Sequence, residues 1–289
     1  MDIKASAPAK INLTLDVIGK RSDGYHNIET VMQTVSLYDE ITVSEKANGE
    51  ITVSCDKDGI PCDDRNIAYK AAVSFFKYTG VKNSGVHIHI KKEIPSQAGL
   101  GGGSSDGAAV ILALNRLYDT RRKESELCEI GEKVGADVPF CIVGGTCHAK
   151  GTGTQLTKLR NMPKCFLVIC KPDISVSTAE AYEKTDAMPP KGMKITDLAI
   201  RSIYSASMPQ ICATLYNDFE IALKLDEVNA VKRIMYKHKA SGAAMSGSGS
   251  AVFGIFLSRR AADKCADALR KNYGEVFIAE PIHEGCKII

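Results

Sequence analysis

The sequence predicts an α+β protein of two domains. Between Val86 and Leu117 the chain reads as strand, glycine-rich loop and helix. Beyond about residue 160, strands and helices alternate, as in an α+β sandwich. A chain of 289 residues accommodates one large domain or two ordinary ones, each burying a core.

Composition excludes several classes. Hydrophobic residues at 44% and charged residues at 25% are ordinary for a globular protein. A net charge of +3 is too small to argue for nucleic acid or a membrane surface as partner. No apolar run reaches the length of a membrane span, and Met1 to Ala5 carries no apolar signal region. The ten cysteines form no C-x-x-C pair, and Cys141, Cys165 and Cys170 sit in apolar runs. Reduced, buried thiols in a cytoplasmic protein are expected, without a metal cluster. His87 and His89 share one strand face, but no third ligand is suitably spaced, so a solvated face is expected there.

In chain order, residues 4–18 alternate as a strand, with Ile11, Leu13 and Leu15 on one face and Lys10, Asn12 and Thr14 on the other. Gly19 to His26 is a hairpin turn by composition, with Tyr25 and His26 opening the next segment. Residues 30–44 and 50–55 are strand-like, and Pro61 to Arg65 is a turn. Asn66 then caps a helix from Ile67 to Tyr78. Val86 to Ile90 is a strand.

The central stretch follows. Pro95 leads into Gly99-Leu100-Gly101-Gly102-Gly103-Ser104-Ser105, and Ala108, Ile111, Leu114 and Leu117 then mark a helix face. Four glycines within five residues let backbone approach a ligand and take positive φ. With Ser104 or Ser105 as N-cap, free N–H groups and the positive helix end face the loop, which makes an anion site. No Gly-Lys-Ser/Thr follows, so this is not a Walker loop, and Ser104 replaces the third glycine of a dinucleotide fingerprint.

Ser125 to Val134 is a helix that ends at Gly135, with Asp137 between it and an apolar strand. A short strand at Cys147 to Ala149 precedes a domain boundary near 155–160, and Lys164 to Cys170 is a buried strand. Pro189-Pro190-Lys191-Gly192 is a loop, and Asn217 opens a helical stretch. Ala243 to Phe253 is a second glycine-serine loop that follows a helix, Val228 to Lys237, and enters a strand, Val252 to Leu257. A helix from Ala261 to Asn272 and a strand from Val276 to Ile282 close the chain.

The composite Pro95, Gly99-Leu100-Gly101, paired serines and helix resembles the second motif of the GHMP kinases, the galactokinase, homoserine, mevalonate and phosphomevalonate kinase superfamily. Pro8 to Leu15 resembles the first motif and Ala243 to Phe253 the third. Gly24-Tyr25-His26 and Gly135-Ala136-Asp137-Val138-Pro139 are similar to one branch, which phosphorylates the 2-hydroxyl of a methylerythritol carrying a cytidine diphosphate in the non-mevalonate isoprenoid route. The order Pro172, Ser175, Thr178, Tyr182 matches that branch too.

The resemblance implies an N-terminal domain of the ribosomal-protein-S5-like domain 2 type over residues 1–158 and a ferredoxin-like C-terminal domain over 159–289. It implies ATP and Mg²⁺, a monomer or homodimer, and no nucleic-acid or membrane partner. It assigns Asp137 as base and Lys10 as its helper. Pro95 and the Gly99–Ser105 loop (Gly99, Leu100, Gly101, Gly102, Gly103, Ser104, Ser105) would hold ATP. Asn66 would lie near the adenine, a place where a plain helix cap serves equally. Asn12, Tyr25, His26, Tyr182, Ser248 and Gly249 would meet the substrate. Tyr182 also fits a helix core. No carboxylate is a clear metal ligand; Asp106 is a candidate, but family members can carry Asn there. A kinase for another small alcohol, or a nucleotide-sensing regulator without catalysis, would share most of these motifs.

Overall fold

The computed structural model describes residues 1–189 and 191–289. Strands β1 (Asp2–Lys20) and β2 (His26–Glu45) form one long antiparallel hairpin. There follow β3 (Ile51–Cys55), α1 (Ile67–Thr79), β4 (Val86–Lys91), α2 (Gly102–Leu117), α3 (Glu124–Glu132), α4 (Val138–Val143), β5 (Thr146–Gly151) and β6 (Gln155–Lys158). The later elements are β7 (Phe166–Lys171), α5 (Thr178–Asp186), α6 (Ile195–Tyr204), α7 (Met208–Ala213), β8 (Tyr216–Asn217), α8 (Asp218–Leu223), α9 (Asp226–Lys237), β9 (Gly242–Met245), β10 (Val252–Phe256), α10 (Arg259–Leu269), β11 (Glu275–Ala279) and β12 (Lys287–Ile288).

The first sheet runs β12-β1-β2-β4-β3, with β8 beside β1 and β5 and β6 added alongside β2. Strand β2 is shared. Its first half, Ile28 to Gln33, pairs with β5, and its second half, Glu40 to Glu45, pairs with β4. The β1–β2 register slips between Pro8 and Ala9, and Lys10 follows directly. The second sheet, β11-β7-β10-β9, is wholly antiparallel.

Three apolar layers hold these sheets. Helices α1 to α4 cover the first sheet through residues such as Phe75, Ile111, Leu114 and Phe140. Helices α1 and α2 approach closely because Ala71 faces Gly107, where an added Cβ would meet Ile67 at 2.8 Å. Between the sheets, Ile11, Leu13 and Val31 pack on Leu167, Ile169, Phe253 and Ile255. The outer layer joins Val168, Cys170 and Phe256 to Val231, Met235 and Leu269. Strand β7 thus sends alternate residues into two cores, which is why its sequence is an unbroken apolar run. Each such side chain contributes about 1.5–3 kcal/mol when fully buried.

Several expectations need correction. Ser104 and Ser105 do not cap α2; Gly101 does, in the left-handed conformation at φ 68°. Val138 to Phe140 is not a strand but the start of α4, with Pro139 in its first turn, where a missing N–H costs nothing. The helix expected at Val228 to Lys237 is present as α9, and a strand that was not foreseen, β9, stands between it and the second glycine loop. The face bearing Lys10, Asn12 and Thr14, whose exposure alternation alone leaves open, is buried. Of the loop expected at Pro189–Gly192, Pro190 lies outside the described residues. The ten cysteines are unpaired, as expected of reduced thiols, though Cys62 is exposed. Burial pushes Cys165, Cys170, Cys265 and Cys286 up to about 12, so these thiols stay protonated and inert.

Candidate active site

Two joined cavities lie along the seam between β1, the two glycine loops and α5. The first, of about 660 Å³, is lined by Lys10, Asn12, Asn66, Pro95, the Gly99–Ser104 run, Asp137, Tyr182 and Gly247 to Gly249. The second, of about 920 Å³, shares Ala136, Thr152, Thr178 and Tyr182 with it and adds Lys20, Tyr25, His26 and Asp186.

The floor of the first cavity is the start of α2. Gly101 donates no side-chain cap, so the N–H groups of Gly102, Gly103 and Ser104 have no partner within the helix, and no acidic residue opposes the positive helix end. The glycines are there for closeness. A Cβ on Gly101 would lie 2.9 Å from Lys10 Cγ, and one on Gly102 would lie 3.0 Å from Lys92 Nζ. The structure separates the two serines. Ser104 lines the cavity, whereas the Ser105 hydroxyl turns inward and donates to the Pro8 carbonyl at 2.8 Å.

The second glycine loop is zipped onto the first. Ser246 Oγ donates to the Gly99 carbonyl at 2.9 Å and accepts from the Asn12 N–H at 3.2 Å. The Ala251 N–H meets the Ala98 carbonyl at 3.1 Å. A Cβ on Gly99, at φ 72°, would sit 2.0 Å from the Ser246 carbonyl oxygen. Gly99→Ala is therefore expected to cost more than about 1 kcal/mol and to weaken nucleotide binding, because the loops must part. Gly274→Ala, where nothing lies within 4 Å, should change stability by less than about 0.5 kcal/mol. Thermal unfolding with and without nucleotide checks both.

Above this floor, Lys10 Nζ lies 3.3 Å from Asp137 Oδ2 and donates to Asn12 Oδ1 at 2.7 Å. Asn12 in turn donates to Thr30 Oγ1 at 2.8 Å. The Lys10 side chain is 5% exposed and that of Asp137 is 34% exposed, so the ammonium is fixed and the carboxylate is open to a ligand. Asp137 occupies the N-cap position of α4 without a capping bond, which leaves its carboxylate free. The two residues come from distant parts of the chain, as the sequence reading required.

Asn66 lines the same cavity, but its carbonyl oxygen accepts from the Ala68 N–H and its amide donates to the Pro61 carbonyl, a cap in the ordinary sense. Ser248 and Gly249 lie at the cavity wall, and Ser248 Oγ is 3.1 Å from Thr178 Oγ1. In the second cavity Tyr25 is 67% exposed. The imidazole of His26 lies flat against Tyr182, centroids 4.2 Å apart at 11°. A base cannot occupy that face of Tyr182 unless the imidazole moves. Three residues escaped the sequence reading: Lys92, buried beneath α2, Asp186 beside His26, and Thr30 beneath Asn12. Only Asp186 carried a signal, one helical turn beyond Tyr182. Among the described residues no three His, Cys, Asp or Glu side chains gather as a metal site. His87 and His89 instead meet the hydroxyls of Thr52 and Ser54.

An anion cradle at a helix start, a buried lysine paired with an open aspartate, and a two-sheet α+β frame define a small-molecule kinase of the GHMP class. The family model described as GHMP kinases N terminal domain matches residues 66–145, and that described as GHMP kinases C terminal matches 206–275. A 4-diphosphocytidyl-2-C-methyl-D-erythritol kinase from Caldicellulosiruptor saccharolyticus is 46% identical over 278 residues, 96% of this chain and 94% of that one. One from Clostridioides difficile is 40% identical over 99% of this chain and 97% of its own. A crystal structure of 4-(cytidine 5'-diphospho)-2C-methyl-D-erythritol kinase superposes with a TM-score of 0.79 at 31% identity, covering 96% of this chain and 98% of that one. The chain belongs to the 4-diphosphocytidyl-2-C-methyl-D-erythritol kinase family and is an ATP-dependent kinase. A homoserine kinase from Cytophaga hutchinsonii, with a TM-score of 0.78 at 21% identity over 100% of this chain and 97% of that one, shares the fold.

Proposed function

We propose that the chain transfers the γ-phosphoryl group of ATP to the 2-hydroxyl of 4-diphosphocytidyl-2-C-methyl-D-erythritol, serving isoprenoid precursor synthesis. The observation that carries this reading is the Lys10–Asp137 pair standing over the bare N–H groups of α2. Phosphoryl transfer is catalysed mainly by positioning and by neutralising charge. The first turn of α2, with Gly99 to Ser104 and Pro95 around it, would hold the ATP phosphates. Leu100 contributes through its backbone, whose carbonyl accepts from the Lys10 N–H at 2.9 Å and so ties the loop to β1. Asn66 and Pro61 form the far wall, where the adenine would lie.

Asp137 would accept the proton of the attacking hydroxyl, and Lys10 would offset charge on the oxygen as it becomes nucleophilic. Asn12, held by Lys10 and Thr30, would steady that hydroxyl. Tyr25 offers a stacking face for the cytosine, His26 a hydrogen-bonding edge, and Tyr182 the wall between the cavities. Ser248 and Gly249 would close over the substrate diphosphate end.

The donors present suit Mg²⁺ carried in on phosphate. Mg²⁺ keeps several waters and asks for few protein ligands, and Ser104 supplies the hydroxyl facing the cradle. When bound, the ion would neutralise phosphate charge. The units 1–158 and 159–289 would divide the work, the first binding ATP and the second completing the substrate cavity through Tyr182 and Ser248. No helix is long and apolar enough to cross a membrane among the described residues. A cytoplasmic setting suits ten unpaired thiols.

The test is ATP turnover with 4-diphosphocytidyl-2-C-methyl-D-erythritol, the product read by mass, with homoserine and mevalonate run alongside. A gain of one phosphoryl group on the cytidine substrate alone is expected. Turnover of another alcohol instead would keep the phosphate cradle and discard the cytidine cavity.

A further inference from the structure

Asp186 ends α5, where a negative charge works against the helix dipole. Its partners give it a different purpose. Asp186 Oδ1 lies 2.8 Å from His26 Nε2, and Oδ2 lies 3.9 Å from Lys20 Nζ. Tyr182, one turn earlier on the same helix, covers the face of the imidazole, and Phe219 meets Tyr182 edge-on at 4.9 Å. The His26 side chain is 6% exposed and is thus held on one face and at one nitrogen. A carboxylate oxygen only accepts, so Nε2 carries the proton. Nδ1 has no hydrogen-bond partner among the described residues, and the residue lines the second cavity.

We propose that Asp186 is a positioning residue that locks the tautomer of His26 and so makes this cavity select an amino-bearing pyrimidine over its keto counterpart. This rests on the cytidine reading of the cavity. In the neutral imidazole with Nε2 protonated, Nδ1 presents a lone pair. It accepts an N–H from the exocyclic amine of cytosine. Uracil places a carbonyl oxygen there, and two lone pairs then face each other. Tyr182 buttresses the imidazole, and Tyr25 remains free to stack on the base. In Asp186→Asn the amide can turn its N–H toward Nε2. That permits the opposite tautomer, whose Nδ1–H suits the carbonyl of uracil.

Two measurements test this. Steady-state kinetics with the cytidine substrate and its uridine analogue compare the unaltered chain, Asp186→Asn and His26→Ala. Asp186→Asn is expected to raise KM for the cytidine substrate about tenfold with kcat within about twofold, and to lower the cytidine-to-uridine preference by about tenfold or more. Nitrogen-15 NMR of the His26 imidazole should find the proton on Nε2 in the unaltered chain and a growing Nδ1–H population in Asp186→Asn. If His26→Ala raises KM while Asp186→Asn changes neither preference nor tautomer, the tautomer lock is wrong and the base site stands. If His26→Ala also leaves KM unchanged, the cytidine reading of this cavity fails and the lock falls with it. A bare Nε2 in the unaltered chain overturns the proposal without any variant.

Discussion

Asp137→Asn is expected to lower kcat by about 10²–10⁴-fold, the usual worth of a general base, and to leave KM for both substrates within about twofold. The isosteric amide keeps the shape of the cavity. It removes no helix cap either, because the Asp137 side chain makes no capping bond to α4. What it removes is the proton acceptor and the partner of Lys10. That ion pair has one side chain a third exposed, so its loss should cost stability little. Steady-state kinetics with a thermal-unfolding control decide the matter. A variant that retains near-normal kcat would show that Asp137 only orients Lys10 and that the substrate hydroxyl loses its proton elsewhere.

The same residue shows how far sequence carries. Asp137 sits in the stretch Gly135 to Pro139, and its identity as a candidate rested on local text. The helix after it was not legible, because six apolar residues in a row look alike as buried strand or buried helix. Pro139 near the start was the available sign. The cap of α2 was misassigned for a related reason. Serines are the commonest side-chain caps, but here the cap position must take a left-handed φ with Lys10 pressed against it, and only Gly101 meets both demands. Alternation along β1 put Lys10 and Asn12 on one face, but alternation alone cannot tell a solvated polar face from a covered one. The structure roofs it with the second glycine loop and with α6, whose Thr196 hydroxyl meets that of Thr14 at 2.8 Å. Residues whose partners come from remote segments stayed silent. His26 was visible as a binding residue, and the only sign of Asp186 was its place one helical turn beyond Tyr182.

Lys92 is the extreme case, and its removal should have the largest effect on stability. Its ammonium is buried between two carboxylates, in contact with Asp39 and 2.9 Å from Asp106. Asp39 also accepts the N–H groups of Glu93 and Ile94 at 2.7 and 2.8 Å, which anchors the strand leading into the first glycine loop. Burial alone would lower the Lys92 pKa, yet the two acids raise it. For Asp106, burial and the neighbouring Asp39 outweigh Lys92 and push the carboxyl up to about 8. Asp106 therefore holds its proton near neutrality. Lys92→Met leaves the acids buried without their cation and is expected to cost about 3–5 kcal/mol, read by urea unfolding. Asp106→Asn should behave oppositely. Because its pKa is raised on folding, Asp106 contributes stability that is full below about pH 4 and fades as pH rises through about 8. The amide has no proton to lose, so the variant should hold its stability between pH 6 and 8.5 while the unaltered chain declines. Parallel pH profiles for the two chains would refute the raised Asp106 pKa. A Lys92→Met chain as stable as the original would mean that water, rather than Lys92, satisfies Asp39.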